Sequence, residues 1–234
     1  GPQHIIGESG ASKINICGVD VYNNKGVYID AGADLVVSYK LVLTDGLLYV
    51  GGSNNCVSVS NAAESSLVLK NTVGKSYVCG RLSRSMYYNT KSIYPIGTED
   101  RYGYCYLVAT AQSTWSAVYH NEKPGLQGTN VDNYDGLKEE YWRISRESGS
   151  SNVKVTIRCD EKSDVDPWAS SFYVGTLQNN SGWKVYSGSS LTSTGTVLNG
   201  EITVEKNFAT NSYSQGESKN LLVALGNRRL ATIW

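Results

Sequence analysis

Alternation of apolar and polar residues with a period of two is the feature that most constrains the fold of this chain. In VKVTIRC, residues 153–159, apolar side chains occupy the odd positions and polar side chains occupy the even positions. Successive residues of a strand point to opposite faces, so this segment is predicted to be a strand with one buried face. Almost no segment shows the 3.6-residue period of an amphipathic helix. The sequence therefore predicts an all-β protein.

Further strands are predicted where the same alternation is bounded by turn residues. The stretch RYGYCYLVAT, residues 101–110, places three tyrosines on one face and Cys105 and Leu107 on the other. Asn199-Gly200 is typical of a two-residue hairpin turn. The remaining candidate strands are Trp115–Tyr119, Phe172–Leu177, Trp183–Tyr186, Gly195–Leu198, Glu201–Glu205 and Leu221–Leu225.

The first third of the chain has short apolar runs at close spacing, separated by small and polar residues. None of the runs is long enough to bury itself, and stacked rungs of a β-solenoid would bury them together. A meander of hairpins would give a similar pattern, so the sequence leaves both arrangements open. The runs are Val27–Ile29, Leu35–Val37, Leu41–Leu43, Leu47–Val50 and Val57–Val59.

The charge and composition of the chain disfavour several classes of protein. The 21 basic residues are balanced by 21 acidic residues, so the chain has no surplus of positive charge of the kind that favours binding to nucleic acid. No apolar run approaches the roughly 20 residues of a membrane span. Charged residues make up only 18 %, and 17 tyrosines stand against 2 phenylalanines, a composition that indicates a secreted or cell-surface β-protein. The chain begins Gly1-Pro2-Gln3, so we expect a processed or recombinant chain whose signal peptide has been removed.

The five cysteines are predicted to be buried, reduced thiols. Their number is odd, no C-x-x-C spacing occurs, and His4 and His120 lie far from any cysteine cluster that could bind zinc. A disulfide framework is the weaker alternative. The cysteines are Cys17, Cys56, Cys79, Cys105 and Cys159.

Six short motifs follow in a fixed order between about residues 35 and 225. Besides rungs such as LVLTDGLLYVGG, they are Ser76–Arg84, Tyr94–Gly97, Tyr102–Val108, Glu140–Arg146, Gly182-Trp183 and Gly195–Val197. Together they resemble a module of large, adhesin-like secreted surface proteins of Bacteroidetes, often linked to type IX secretion and gliding motility. The resemblance implies a short N-terminal β-solenoid, residues 1–85, capped by an antiparallel, jelly-roll-like β-sandwich, residues 86–234. It also implies an extracellular or cell-surface location and no catalysis.

Two acidic segments are candidate cation sites. In CDEKSDVDPW, the carboxylates of Asp160, Asp164 and Asp166 could bind calcium, which prefers several oxygen ligands. The spacing does not match an EF-hand, so a solvated loop is the favoured interpretation and calcium is the only cofactor considered. NVDNYDGLKEE is interpreted in the same way. A glycosidase carboxylate pair is a weaker hypothesis, and no G-x-S-x-G motif supplies a nucleophile for His120.

Surplus aromatic residues are the candidate ligand-binding groups, because the apolar face of a sugar stacks on an exposed ring. Trp168, which follows Pro167 in an acidic loop, is the first candidate, and Trp234 is a weaker one. Trp115, Trp142 and Trp183 are instead predicted to pack within sheets. The other candidate ligand-binding residues are Tyr134, Tyr87 and Tyr88.

The segment EEYWRISRE is predicted to be a strand that spans its sheet from rim to rim. Alternation places Trp142 and Ile144 on one face, with Glu140 and Arg146 at the two ends of the same row. The following strand, residues 153–159, is the expected neighbour. Trp142 is therefore predicted to be a core residue.

These observations favour a non-enzymatic, extracellular structural or adhesion module of a bacterial surface protein. Its expected partners are glycans or surface proteins. A carbohydrate-binding module with exposed aromatic residues is the first alternative. A polysaccharide-acting enzyme is the second, and a β-helix lyase would need more complete rungs than the sequence offers before Arg84.

Overall fold

The computed structural model describes residues 1–7, 12–29, 32–52, 54–70, 74–124, 134–163, 165, 172–178, 182–196, 199–209 and 220–228. These residues form strands and three short 3-10 turns at Glu64–Ser66, Glu161–Ser163 and Gly188–Ser190, and α-helix is absent from them. The strands are β1 (Gln3–Ile5), β2 (Lys13–Tyr22), β3 (Val27–Ile29), β4 (Asp34–Asp45), β5 (Leu48–Val50), β6 (Val57–Val59), β7 (Leu67–Leu69), β8 (Val78–Cys79), β9 (Leu82–Met86), β10 (Lys91–Tyr94), β11 (Ile96–Thr98), β12 (Arg101–Tyr102), β13 (Cys105–Ala109), β14 (Ser113–His120), β15 (Tyr134–Ser148), β16 (Val153–Asp160), β17 (Phe172–Gln178), β18 (Trp183–Tyr186), β19 (Leu191–Thr196), β20 (Asn199–Phe208) and β21 (Asn220–Arg228).

The prediction of an all-β fold is confirmed, and the N-terminal part is a β-solenoid of about four turns. Each turn contributes one strand to a sheet ordered β1-β3-β5-β8 and another to a sheet ordered β2-β4-β6-β9, with β7 also paired to β4. All of these pairs are parallel, whereas a meander of hairpins would pair antiparallel. Alternate apolar residues of these strands, such as Val27, Leu35, Leu48 and Val57, point inward and are buried.

Two predicted runs of the solenoid belong to one strand. Leu35–Val37 and Leu41–Leu43 were predicted as separate rungs, but both lie in the twelve-residue β4. The three residues between them, Ser-Tyr-Lys, include neither glycine nor proline, so the chain continues in extended conformation. The first half of β4 pairs with β6 and the second half pairs with β7.

Antiparallel strands complete the fold. A five-stranded sheet has the order β10-β13-β16-β20-β19, and the solenoid sheet that ends at β9 continues through β14, β15, β21, β17 and β18. The prediction that β16 is the neighbour of β15 is wrong. The two strands lie in different sheets, and the buried residues Trp142 and Ile144 of β15 belong to the same core cluster as Val155 and Ile157 of β16.

The predicted hairpin turn at Asn199-Gly200 is displaced. Thr196 pairs with Asn199, so these two residues already belong to β19 and β20. Gly200 serves a different purpose there, because a Cβ at this position would collide with the backbone oxygens of Thr194 and Thr196. Close approach of two strands therefore requires this glycine.

The predicted boundary at residue 85 falls within β9, and the division into two domains stays a prediction. β9 pairs parallel with β6 on one side and antiparallel with β14 on the other, so one sheet runs from the rungs into the antiparallel part. One core cluster contains both Leu41 of the solenoid and Trp115 of β14.

We expect the whole chain to unfold in a single calorimetric transition, because one sheet and the larger core cluster extend through both parts. Differential scanning calorimetry measures this directly. Two well-separated transitions would mean that the solenoid and the sandwich are independently stable domains.

All five cysteines are free thiols in the structure. Cys56, Cys105 and Cys159 are buried, Cys79 is half-buried and Cys17 is exposed on the edge strand β2. Burial raises the pKa of the Cys56, Cys79 and Cys159 thiols to about 11 and also raises the pKa of Cys105. Because the thiolate is the nucleophile, these four groups react slowly near neutral pH.

Titration of the native protein with a thiol reagent at pH 8 should therefore show one fast equivalent, Cys17, and four more only after denaturation. Cys17→Ser should abolish the fast phase and lower by one the number of thiols that are titrated after denaturation. A fast equivalent that persists in Cys17→Ser would show that one of the covered thiols is accessible.

Candidate functional site

A row of residues crosses the outer face of the six-stranded sheet that extends from β1 to β12. Neighbouring strands place these residues directly beside one another, and at a strand spacing of about 4.8 Å the row is about 24 Å long. Tyr28 lies outward between the buried Val27 and Ile29, which fixes the direction of the row. Its members are His4, Tyr28, Tyr49, Cys79, Gly97 and Tyr102.

At the solenoid end of this row the rings stack on one another. The ring centroids of Tyr28 and Tyr49 are 4.3 Å apart with planes 6° from parallel, and those of His4 and Tyr28 are 5.5 Å apart at 23°. Mutual stacking covers ring faces and leaves mainly edges toward solvent. This aromatic stack therefore serves packing between rungs better than it serves stacking of a ligand.

At the other end, the row turns along β12 and β13. Tyr102, Tyr104 and Tyr106 are half-buried and share one face, while Cys105 and Leu107 point into the core with no exposure. The alternation predicted from the sequence is confirmed here. The centroids of Tyr102 and Tyr104 are 5.2 Å apart, and those of Tyr104 and Tyr106 are 5.6 Å apart in an edge-to-face arrangement. We call Tyr102, Tyr104 and Tyr106 the tyrosine face.

Charged side chains hold the rings of the tyrosine face in place. The Tyr104 hydroxyl donates to Glu201 Oε1 at 3.2 Å, and Lys91 Nζ lies 3.2 Å from Glu201 Oε2. Lys91 Nζ also lies 3.9 Å from the Tyr106 ring centroid, a cation–π contact. Burial, assisted by the Glu201 carboxylate, raises the pKa of both Tyr104 and Tyr106. Both phenols are therefore neutral hydrogen-bond donors at physiological pH.

A cleft of about 370 Å³ opens where the tyrosine face ends. The loop that joins β9 to β10 crosses from one sheet to the other here and forms a wall of the cleft. Asn89 adopts the left-handed conformation, φ 55°, which asparagine tolerates, and its N–H donates to the Ala109 carbonyl at 2.9 Å. The cleft is lined by Tyr88, Asn89, Val108, Ala109, Thr110, Lys154 and Asn207.

A buried cluster of charges lies on the far side of Tyr102. Arg101 Nη2 is 2.9 Å from Glu140 Oε2, and its Nη1 is 3.0 Å from Asp160 Oδ1. The Tyr119 hydroxyl donates to Glu140 Oε2 at 2.6 Å, and Arg101 Nη2 donates to Ser163 Oγ at 3.3 Å. Only 6 % of the Arg101 side chain and 3 % of the Glu140 side chain are exposed, so the charges compensate one another away from water.

Two guanidinium groups pair with the carboxylate of Asp160. Asp160 is the first carboxylate residue of the predicted calcium site. Arg158 contacts Oδ2 and Arg101 contacts Oδ1. Burial alone would raise the pKa of Asp160, but hydrogen bonds and charge from the two arginines outweigh it and lower the pKa. Asp164 and Asp166 lie outside the described residues. Within the described part of the chain, His, Cys, Asp and Glu nowhere gather in a group of three that could hold a metal ion.

The charged ends of the row that contains Trp142 are not at the rim, contrary to the sequence prediction. Glu140 is 2 % exposed and Arg146 is 7 % exposed. Glu140 is neutralised by Arg101, and Arg146 Nη1 donates to the Ser151 carbonyl at 2.9 Å. A partner 39 residues earlier for Glu140 and a carbonyl five residues later for Arg146 therefore let charges occupy positions that alternation alone assigns to a solvated edge.

The structure brings part of the predicted ligand-binding set to the cleft. Tyr88 is 70 % exposed and lines it, while the neighbouring Tyr87 is 51 % exposed. Tyr134 begins β15, where its backbone pairs with Arg228, and its side chain lies outside the described residues. Trp168 and Trp234 lie outside them as well. Trp115 and Trp142 are fully buried and Trp183 is 8 % exposed, which confirms their predicted role in packing.

Sequence reasoning did not nominate Tyr104 and Tyr106 as site residues. Their signal was the Y-x-Y-x-Y alternation of residues 102–106, which showed that the rings share a face. It did not show that this face is the outer one.

No protein-family model matches this chain, and neither the curated proteins nor the solved structures provide a match. Among the described residues, no helix has the length and apolar character needed to cross a membrane.

Proposed function

We propose that this chain is a non-catalytic, extracellular adhesion module that contacts its target through the tyrosine face and the adjoining cleft. The observation that carries this proposal is a line of half-exposed rings on a sheet, held by Lys91 and Glu201 and continued by the exposed Tyr88. Rings fixed by neighbouring side chains lose little conformational entropy when a partner binds. Sites built on strands also keep their geometry better than sites built on loops alone.

The surroundings of the nearby carboxylates favour binding over catalysis. Both oxygens of Glu201 are engaged, one by Tyr104 and the other by Lys91. Glu140 and Asp160 are bridged by Arg101. A general acid or base needs a carboxyl group that can reach the substrate and exchange a proton, and an ion-paired carboxylate is poorly suited to that role. The tyrosine-rich composition and the resemblance to adhesin-like proteins support an extracellular setting.

Retention of fluorescently labelled protein on layers of mucin, collagen and insoluble β-glucan tests the proposal. We expect the parent chain to be retained on at least one layer, and Tyr104→Ala/Tyr106→Ala to lose most of that retention. Tyr22→Ala/Tyr39→Ala is the matched control, because these tyrosines are 73 % and 62 % exposed on the solenoid. Equal retention of both double variants, or no retention of the parent on any layer, would contradict the proposal.

A further inference from the structure

We infer that the tyrosine face binds a neutral glycan chain and that the cleft beside Tyr88 holds the sugar unit at one end of that chain. This inference rests on the proposed function, because it names the ligand of the same surface. The structural basis is a path along β12 and β13 that leads from the fixed rings of the tyrosine face into a polar cleft.

The path is set by strand geometry. Tyr102 ends β12, Tyr104 lies in the link to β13, and Tyr106 and Val108 occupy alternate positions of β13. The ring centroids of Tyr102 and Tyr104 are 5.2 Å apart, those of Tyr104 and Tyr106 are 5.6 Å apart, and alternate side chains of a strand are about 6.6 Å apart. Val108 lies at the mouth of the cleft and contributes to its lining. An extended, narrow ligand therefore fits this surface better than a compact one.

The chemistry of the cleft suits a sugar. A pyranose has apolar C–H faces and a rim of hydroxyl groups that both donate and accept hydrogen bonds. Tyr88 supplies a ring, and Asn89 and Asn207 carry amide groups that also donate and accept. The volume of about 370 Å³ lies at the lower end of the range for small-molecule sites, which fits the end of a chain.

The charges indicate that the glycan is neutral. Lys91 Nζ lies 3.2 Å from Glu201, and Lys154 Nζ lies 3.0 Å from Glu205. Arg158, whose charge acts on Tyr104 from the neighbouring strand β16, contacts Asp160. Each of these cations already has a carboxylate partner, so a sulfate or carboxylate of an acidic glycan would have to displace that partner. A neutral hydroxyl-rich chain meets no such competition.

The same surface is less suited to a protein partner. The centre of a protein interface is usually apolar and becomes fully desolvated on binding. Here the rings of Tyr104 and Tyr106 are flanked by Lys91 and Glu201, whose side chains are 52 % and 22 % exposed, and the desolvation of these charges would oppose binding.

Isothermal titration calorimetry with neutral oligosaccharides tests the inference, with linear glucans, mannans and xylans of increasing length as probes and a hyaluronan oligosaccharide as the anionic comparison. We expect at least one neutral series to bind, with affinity that rises with chain length. Tyr88→Ala and Asn207→Ala should each lower the affinity for the longest oligosaccharide by about tenfold or more. Affinity should then depend less on the length of the oligosaccharide. Tyr39→Ala, an exposed tyrosine away from the cleft, should bind like the parent.

The outcomes separate the inference from the proposed function. If no neutral oligosaccharide binds while the parent is still retained on a layer through Tyr104 and Tyr106, the glycan inference is wrong and the adhesion proposal stands. Stronger binding of hyaluronan than of every neutral chain would overturn the assignment of a neutral ligand. Glycan binding that Tyr88→Ala and Asn207→Ala leave unchanged would overturn the role of the cleft. If neither retention nor oligosaccharide binding occurs, both proposals fail.

Discussion

Replacing Trp142 with alanine is expected to lower the free energy of unfolding by about 3–5 kcal/mol, the usual cost of truncating a buried tryptophan. Trp142 has no exposed surface and packs edge-to-face against Tyr119, with ring centroids 5.4 Å apart. Its Nε1 donates to the Gly103 carbonyl. The truncation would leave a cavity between the two sheets and an unpaired carbonyl. Since domains of this size are stable by about 5–15 kcal/mol, the variant should melt at a much lower temperature or fail to accumulate as soluble protein.

Trp142→Phe and Tyr39→Ala serve as controls for this prediction in urea denaturation. Phenylalanine keeps much of the packing but loses the hydrogen bond, so its free energy of unfolding should lie between those of the parent and the alanine variant. Tyr39 is 62 % exposed, and its truncation should change stability little. A Trp142→Ala protein with the parent's denaturation midpoint would show that this strand does not form the core.

Replacing Arg101 with methionine is the second change expected to have a large effect. Methionine fills much of the same volume but leaves Glu140 charged, buried and supported chiefly by the Tyr119 hydroxyl. The second oxygen of Glu140 has no hydrogen-bond partner among the described residues. Removing one partner of a buried ion pair typically costs about 3–5 kcal/mol, because an uncompensated charge remains in the interior.

A double-mutant cycle distinguishes loss of charge compensation from loss of packing. Glu140→Gln in the Arg101→Met background should recover part of the lost stability, because it removes the uncompensated charge. Lys154→Met is the exposed control, since its pair with Glu205 lies at the surface and should be worth at most about 1 kcal/mol. If the double variant is as unstable as Arg101→Met or more so, charge compensation is not the main contribution of Arg101.

Alternation in the sequence predicted one buried face of the strands but not the whole set of buried residues. The odd positions of residues 153–159 and Cys105 and Leu107 of β13 are buried as predicted, but Thr156 and Arg158 on the other face of β16 are buried as well. The short apolar runs indicated a solenoid and left a meander of hairpins open. Alternation could not predict which strand pairs with which, because it specifies the face of a strand and not its neighbour. For that reason the prediction that β15 and β16 are neighbours in one sheet, which rested on their adjacency in the sequence, was wrong.

The candidate site was only partly predictable for the same reason. Tyr88 could be nominated because it is one of the surplus aromatic residues of the chain. The cleft that it lines also needs Val108, Lys154 and Asn207, which come from three different strands and meet only in the folded protein. Burial of Glu140 depends on Arg101, 39 residues earlier in the chain, and no local pattern reveals that partnership.

Carbene footprinting of the protein bound to the layer that retains it tests the central claim, contact through the tyrosine face, most directly. We expect labelling of Tyr88, Tyr104 and Tyr106 to fall on binding, while labelling of Tyr22 and Tyr39 on the solenoid stays at the level of the free protein. Protection of Tyr22 and Tyr39 with unchanged labelling of the other three tyrosines would place the contact on the solenoid and contradict the proposal.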